Sequence, residues 1–212
     1  MEEHPDYDGP PFDESTIDPD PFVQFAAWLA EAEAAGLPDP NGMVLGTIDP
    51  DGSPSSRTVL LKGLHSPEGP AFELVTNAGS RKGRALALES RVTLLFPWYA
   101  LHRQVIVDGL ARRAADADSD RYWATRPRGS QIGAWASEQS RPIGSRADLA
   151  ERVAREEARF ADADAVPRPP FWGAWFVRPR AIEFWQGRPS RLHDRLVYLA
   201  GEGTWTVERR QP

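Results

Sequence analysis

Alternating hydrophobic and polar positions run through most of this chain, and they predict strands rather than a bundle of helices. Short apolar or alternating segments are separated by Gly, Pro, Asn and Ser, which are typical of turns. The pattern predicts strands near 43–48, 55–64, 71–77, 91–98, 103–114, 172–179, 181–187, 194–200 and 203–210. A Pro-Asp-Gly turn joins the first two strands into a predicted hairpin.

Helical periodicity predicts four shorter elements, at 21–35, from Ser80 onwards, at 117–126 and at 145–160. Asp20 and Pro21 suit the start of the first helix, and Gly36 suits its end. The segment 126–145 carries few regular signals and is predicted to be a long functional loop. The predicted helices are too few and too irregularly spaced along the chain to form repeated βαβ units. The pattern therefore favours a mainly β, α+β fold with an antiparallel sheet or barrel.

The charge of the chain is concentrated at one end. The formal net charge is -6, yet residues 1–20 hold eight acidic residues and no Lys or Arg. We predict that residues 1–19 form a disordered acidic, Pro-rich tail and that 20–212 form a single domain. The remaining body is mildly basic, which favours a small anionic ligand and not a nucleic acid.

Several functional classes are disfavoured by composition. The chain has no cysteine, and its four histidines are scattered without metal-ligand spacing, so no metal site is predicted. A G-x-S-x-G nucleophile elbow is missing. No basic-then-apolar leader and no apolar run of about 20 residues is present, so we expect a soluble cytoplasmic protein without a membrane segment.

Two stretches carry cations in places that suit phosphate. In RTVLLK, strand alternation puts Arg57 and Lys62 on opposite faces, either as solvated strand ends or as ligands of two different anions. In TNAGSRKGR, Ser80, Arg81 and Lys82 begin a helix, where positive side chains oppose the helix dipole. A bound phosphate would resolve that mismatch, although a merely exposed helix start is the alternative.

Two further stretches are compatible with binding. Tyr122 and Arg126 are neighbours on one helical face, and Ser130 follows. They form either a second phosphate cradle or a solvated face. Near the C-terminus, RLHDR places Arg191 and His193, with Arg195, two residues apart. If this piece is extended, it is either a cationic face or an ordinary polar edge strand.

Together these motifs resemble those of the pyridoxine (pyridoxamine) 5′-phosphate oxidase family. The resemblance runs from about Asp20 to Pro212 and keeps the family's order. It rests on RTVLLK (57–62), TNAGSRKGR (76–84), LLFPW (94–98), RQV (103–105), RPRGSQIGAWAS (126–137), QS (139–140), FWG (171–173), EFWQGRPSRLHDR (183–195) and the closing Gln211-Pro212.

The resemblance implies an antiparallel split β-barrel that works as a homodimer with FMN at the subunit interface. It implies cofactor contacts from Arg57, Thr58, Val59, Leu60, Lys62, Val75, Thr76, Arg81, Lys82, Gln104, Gln139, Ser140, Trp185 and Arg195. It implies substrate contacts from Lys62, Tyr122, Arg126, Ser130, Arg191 and His193, the last two being the expected catalytic residues.

The implied reaction is the two-electron oxidation of pyridoxine 5′-phosphate or pyridoxamine 5′-phosphate by dioxygen. It gives pyridoxal 5′-phosphate and hydrogen peroxide, with the flavin supplying the difficult chemistry. We expect Arg191 and His193 to hold the pyridine ring over the flavin, with Arg195 against the flavin.

The chain departs from the family pattern before the first helix. Where relatives usually carry basic residues and a tyrosine that help to cover the substrate, this segment is acidic and Tyr7 is its only tyrosine. Val75 stands where a tyrosine is usual. The alternatives are a flavin oxidase of specialised metabolism that acts on dihydrophenazine-type substrates, and a flavin or pyridoxal-phosphate binding protein without turnover.

Overall fold

A single antiparallel sheet with helices at its margins makes up the fold. The structure, a computed structural model, describes Tyr7 and residues 9–212. The helices are α1 (Pro21–Ala34), α2 (Arg81–Leu88), α3 (Asp116–Ala124), α4 (Arg128–Ala136) and α5 (Arg146–Arg159). The strands are β1 (Gly42–Ile48), β2 (Pro54–Leu60), β3 (Gly63–Ser66), β4 (Gly69–Asn77), β5 (Arg91–Trp98), β6 (Arg103–Arg113), β7 (Trp172–Gln186), β8 (Asp194–Ala200) and β9 (Trp205–Arg209). No described helix is both long and apolar enough to cross a membrane.

The strand β7 is the backbone of the sheet. The strand order is β2-β1-β5-β6-β7-β4-β3, and β8 and β9 continue from β7 outside that path. One half of β7, from Trp172 to Val177, pairs with β4, whereas the other half, from Ala181 to Gln186, pairs with β8. The sheet therefore branches at β7, because the first half of this strand has β4 as its neighbour and the second half has β8.

Aromatic side chains fill the core between α1 and the sheet. Phe25, Phe72, Phe96, Phe184 and Tyr198 are fully buried and belong to one hydrophobic cluster. Burying a side chain of this size stabilises the fold by about 1.5–3 kcal/mol. This core anchors β4, β5, β7 and β8, which are the strands that position the candidate site.

The first helix is confirmed as predicted. The side chain of Asp20 accepts a hydrogen bond of 2.8 Å from the backbone N–H of Phe22, and Pro21 occupies the first turn. Gly36 follows the helix with a φ of 69°, a left-handed conformation that glycine adopts without a steric penalty.

Three sequence-based boundaries were wrong. The expected loop 126–145 contains α4, whose Ile132 packs with Trp123 and Phe160. Gly129 and Gly133 weaken the helical pattern there, and tertiary packing outweighs it. The predicted strand 55–64 is divided into β2 and β3, and the two tryptophan-rich strands are one continuous strand that passes through Pro179.

The described part of the acidic N-terminal segment lies against the body. Phe12 is buried beside Trp28 and Phe184, and the carboxylate of Glu14 accepts hydrogen bonds from Arg209. The hydroxyl of Tyr198 donates to the carbonyl of Asp18 at 2.6 Å. For residues 1–6 and 8, which lie outside the described residues, disorder stays a prediction.

Candidate active site

A tight turn places the start of α2 at the end of β4. The side chain of Ser80 accepts a hydrogen bond from the backbone N–H of Gly83 at 3.1 Å and donates one to the carbonyl of Asn77 at 2.7 Å. A Cβ added to Gly83 would lie 2.4 Å from that same carbonyl oxygen, so only glycine fits. The turn therefore holds the first N–H groups of the helix in a fixed orientation.

Three cationic side chains, those of Arg57, Arg81 and Lys82, lie around this helix start. The guanidinium of Arg81 donates to the carboxylate of Asp49 at 2.6 Å, and Asp49 also accepts from the hydroxyl of Ser55 at 2.8 Å. The guanidinium of Arg57 donates to that same hydroxyl at 2.6 Å and to the hydroxyl of Thr47 at 2.7 Å. This network fixes the β1–β2 hairpin against α2 and brings Arg57 and Arg81 together.

The electrostatics of this cluster favour an anion. Burial, followed by the nearby charge of Arg57, lowers the pKa of the half-buried Lys82. Burial is also the first cause that lowers the pKa of Arg57. Asp49 is the carboxylate of the cluster, and its hydrogen bond from Ser55 is the first cause that lowers its pKa. Positive charge is thus in excess, and a phosphate would relieve the repulsion.

A second group of polar side chains lies around Trp172, at the start of β7. The ammonium of Lys62 is 5.9 Å from the ring centroid of Tyr122, which stacks on Trp172 at 6.1 Å. The guanidinium of Arg126 lies 4.7 Å from the ring of Trp172 and donates to the carbonyl of Ser130 at 2.9 Å. Four predicted substrate residues are therefore brought together.

Arg126 has the feature that points most directly to an anion site. Its Nε atom is buried and has no hydrogen-bond partner among the described residues. Burial is the first cause that lowers the pKa of this guanidinium. Since an unpaired buried donor is costly, a bound anion at this place would be stabilised by the guanidinium and would satisfy it.

A third group forms a row across three strands at the opposite end of β7. Gln104 of β6 is the cross-strand partner of Trp185, and Trp185 is the partner of Arg195 of β8. Cross-strand partners point to the same face of a sheet. Three predicted cofactor residues thus form one continuous surface.

A shared cationic face for Arg191, His193 and Arg195 was expected on the condition that 191–195 is extended, and this condition is not met. Pro189–Arg191 is a 3₁₀ turn, and β8 begins only at Asp194. Ser190 and Arg191 have φ values of 57° and 61°, which cost roughly 1–3 kcal/mol each for residues other than glycine. Arg191, His193 and Arg195 therefore do not share a strand face, because the turn at Pro189 interrupts the alternation on which the prediction depended.

His193 nevertheless lies against the row. Its ring centroid is 4.6 Å from that of Trp185 and 5.6 Å from that of Tyr7. The Nδ1 atom accepts a hydrogen bond of 3.1 Å from the backbone N–H of Arg188. In the neutral imidazole, this bond assigns the ring proton to Nε2.

The remaining predicted residues lie near these groups or on exposed loops. The hydroxyl of Thr76, which follows Val75 in β4, is 3.5 Å from that of Ser80. Thr58, Val59 and Leu60 continue β2 beyond Arg57. Gln139 and Ser140 form an exposed turn after α4.

Sequence reasoning missed two buried carboxylates, Asp49 and Glu183, which are 8% and 7% exposed. Asp49 lies between the predicted strand 43–48 and the predicted turn 50–52 and was assigned no role. Glu183 lies between the apolar residues Ile182 and Phe184. A single carboxylate within the otherwise apolar stretch 181–185 was the signal that could have identified it.

The groups around Trp172 and Trp185 lie far apart in one chain. Trp172 is the first residue of β7 and Trp185 precedes the last. At about 3.3 Å per residue, a straight strand would separate them by roughly 40 Å. That length is the limit for a fully extended strand; within one chain the two groups lie at opposite ends of β7, the first beside β4 and the second beside β8.

Two solved structures share this fold. The phenazine protein PhzG from Burkholderia lata 383, in complex with tetrahydrophenazine-1-carboxylic acid, is 27% identical with a TM-score of 0.88, covering 98% of this chain and 100% of that one. An FMN-binding protein from Nostoc punctiforme, described as related to pyridoxamine 5′-phosphate oxidase, is 14% identical with a TM-score of 0.73, covering 92% and 100%. The likeness to it shows the fold alone. The architecture is that of the flavoprotein split barrels, as predicted.

Sequence comparison identifies the family within that class. Residues 29–160 match the model of pyridoxamine 5′-phosphate oxidase, and residues 172–212 match the model of the pyridoxine 5′-phosphate oxidase C-terminal dimerisation region. A protein from Rubrobacter xylanophilus is 54% identical, covering 94% of this chain and 90% of the relative. One from Thermobifida fusca is 49% identical, covering 97% and 95%; both are named pyridoxine/pyridoxamine 5′-phosphate oxidase. The chain belongs to the pyridoxamine 5′-phosphate oxidase family, whose members are flavin-dependent oxidoreductases.

Proposed function

We propose that this protein is an FMN-dependent oxidase that converts pyridoxine 5′-phosphate or pyridoxamine 5′-phosphate to pyridoxal 5′-phosphate. The observation that carries the proposal is the presence of two separate cationic cradles, one at the start of α2 and one around Arg126. A flavin phosphate and a vitamin phosphate need one cradle each. The relatives at about 50% identity that bear this name support the choice.

The residues at the start of α2 fit the phosphate of FMN. Arg81, Lys82 and the first N–H groups of the helix provide charge and directed donors, and Arg57 adds a third cation. The row of Gln104, Trp185 and Arg195 offers a surface with donors for the ring system. We assign the other cofactor contacts to Thr58, Val59, Leu60, Lys62, Val75, Thr76, Gln139 and Ser140.

The second cradle fits the phosphate of the vitamin. Lys62 and Arg126 supply charge, and Tyr122 and Ser130 supply hydroxyl groups. The unpaired Nε of Arg126 gives this cradle a donor that is already oriented and desolvated. Binding through the phosphate positions the rest of the substrate without involving the carbon that reacts.

Arg191 and His193 would hold the pyridine ring. The backbone N–H of Arg188 donates to Nδ1 of His193, and the imidazole packs on Trp185, so the ring is held in place beside the row. FMN, when bound, would supply the two-electron acceptor, with dioxygen as the final oxidant. The alcohol and dioxygen yield the aldehyde and hydrogen peroxide, whereas the amine also consumes water and releases ammonia.

The complete site requires two copies of the chain. The vitamin-phosphate cradle is at one end of β7, and Trp185, Arg191 and His193 are at the other. A homodimer with two-fold symmetry can place one end beside the opposite end of its partner, with FMN between them. The match of residues 172–212 to a dimerisation region supports this arrangement.

The direct test is a turnover assay with three substrates. The purified protein with FMN is given pyridoxine 5′-phosphate, pyridoxamine 5′-phosphate and a dihydrophenazine carboxylic acid in parallel. We expect peroxide and pyridoxal-phosphate absorbance from the two vitamers. Oxidation of the phenazine alone would favour the activity suggested by the likeness to PhzG. Bound FMN without turnover would favour a binding protein, and failure to bind FMN would contradict every one of these functions.

FMN binding is expected to weaken at alkaline pH because of Lys82. Burial and the nearby Arg57 lower the pKa of Lys82 below its usual 10.5. The ammonium therefore loses its proton, and with it its attraction for phosphate, at a lower pH than an exposed lysine would. Fluorescence titration of the apoprotein with FMN between pH 7 and 10.5 measures this. Riboflavin has no phosphate and is the control: an equal loss of affinity for riboflavin would refute the assignment.

A further inference from the structure

Glu183 is a carboxylate in an unusual place. It lies in β7 between the fully buried Ile182 and Phe184, and it is only 7% exposed. Carboxylates are seldom buried without a paired cation, because the loss of hydration is large. Both of its oxygens are used by one partner. The Nε and Nη2 atoms of Arg195 donate to Oε1 and Oε2 at 3.0 and 2.9 Å, a bidentate fork.

The fork holds Arg195 at the edge of the proposed flavin surface. Glu183 is two residues before Trp185, so both side chains are on one face of β7, and Arg195 is the cross-strand partner of Trp185. The third nitrogen of Arg195, Nη1, donates to the carbonyl of Gln211 at 3.0 Å. All three guanidinium nitrogens therefore have acceptors within the chain, and the group has a fixed position and orientation.

We propose that Glu183 is a positioning residue that orients Arg195 towards the flavin and offsets part of its charge. This inference rests on the proposed FMN-dependent function. A free arginine at this position would stabilise the anionic reduced flavin more strongly than one paired with a buried carboxylate. Glu183 thus sets both the geometry of the contact and the reduction potential of the flavin.

The chain offers a matched control on β9, the strand that pairs with the strand of Arg195. Glu208 of β9 is a half-exposed carboxylate that pairs with Arg210 at 2.9 Å, and Arg210 is itself 3.9 Å from Glu183. Glu208→Gln removes the same charge from the same network without touching the fork. A difference between Glu183→Gln and Glu208→Gln therefore reports on the fork and not on net charge.

The test measures the midpoint potential of bound flavin and the Kd for FMN in the full-length protein. For Glu183→Gln we expect a potential more positive than that of the unsubstituted protein and a Kd raised about tenfold, as for the loss of one charge-assisted hydrogen bond. Glu208→Gln should match the unsubstituted protein in both. Unchanged values for Glu183→Gln, or equal shifts in the two variants, would overturn the proposal.

Three further variants keep the proposal testable if Glu183→Gln alone does not fold. Arg195→Lys retains the charge but cannot form the fork, so the Kd should rise while the potential stays near its original value; an unchanged Kd would contradict the proposal. In the apoprotein, Arg195→Gln leaves the carboxylate buried and unpaired. Adding Glu183→Gln to it should raise the midpoint of thermal unfolding, and a lower midpoint would also count against the pairing.

These outcomes are separable from failure of the proposed function. A protein that binds FMN but does not oxidise the vitamers would contradict the proposed activity, yet the potential and the Kd still decide the role of Glu183. A protein that binds no FMN would overturn both proposals.

Discussion

Arg191→Ala is expected to lower kcat for pyridoxine 5′-phosphate by about 10²–10³-fold while FMN stays bound, as for the loss of one preorganised electrostatic contact. The side chain is exposed in one chain and stands in a left-handed turn with a φ of 61°. Such strain is maintained where the surrounding structure determines the conformation, and it is common at functional sites. Steady-state kinetics and the visible flavin spectrum measure the two parts of this prediction.

The control for this variant is Arg155→Ala, which removes an exposed cation from α5, far along the chain from the site. Its kinetics should match those of the unsubstituted protein. Loss of the flavin spectrum in Arg191→Ala would show that Arg191 serves the cofactor and not the substrate ring. An unaltered kcat would remove Arg191 from the catalytic set.

Arg126→Ala is expected to raise KM for both phosphorylated vitamers by roughly 10–100-fold, the effect of losing charge-assisted hydrogen bonds to a phosphate. The reason is its buried, unpaired Nε beside Trp172. The affinity for FMN should not change. Unphosphorylated pyridoxine is the discriminating substrate, because its weak turnover should be the same with and without Arg126.

Arg121→Ala is the matched control for this second variant. Arg121 lies on α3, is exposed and pairs with Asp118, so its removal changes the charge near the cradle without opening it. If Arg121→Ala raised KM as much as Arg126→Ala, a general field effect would explain both. If Arg126→Ala left KM unchanged, the cradle would not be the vitamin-phosphate site.

The sequence was most informative where chemistry depends on local structure. The start of α2 could be predicted because Ser80, Arg81 and Lys82 are consecutive and one helix turn brings their groups together. Tyr122 and Arg126 were expected on one helical face, but α3 ends at Ala124, and what the two side chains share is their contact with Trp172.

The sequence was least informative where position depends on distant segments. Alternation placed Arg191, His193 and Arg195 on one face, but the turn at Pro189 breaks that pattern. The fork between Arg195 and Glu183 joins two strands that become neighbours only in the folded sheet. The sequence also did not show that Trp172 and Trp185 lie near opposite ends of one strand, because Pro179 suggested a break between them.

The acidic net charge was a poor guide to the site. Most of it belongs to the N-terminal segment, whose described part is fastened to the body by Arg188 and Arg209. The cradles themselves have an excess of positive charge, which the average over the whole chain conceals. Tyr7 of the same segment reaches His193, a contact that sequence order gave no reason to expect.

The central claim is that one active site is assembled from opposite ends of β7 in two copies of the chain. Arg126→Ala and Arg191→Ala, each impaired as a homodimer, are co-expressed with different tags, and the heterodimer is isolated and assayed. In a two-fold dimer one of its two sites is intact, so we expect about half of the unsubstituted activity in the heterodimer. A heterodimer no more active than either parent would place both residues in one site of a single chain and contradict the claim.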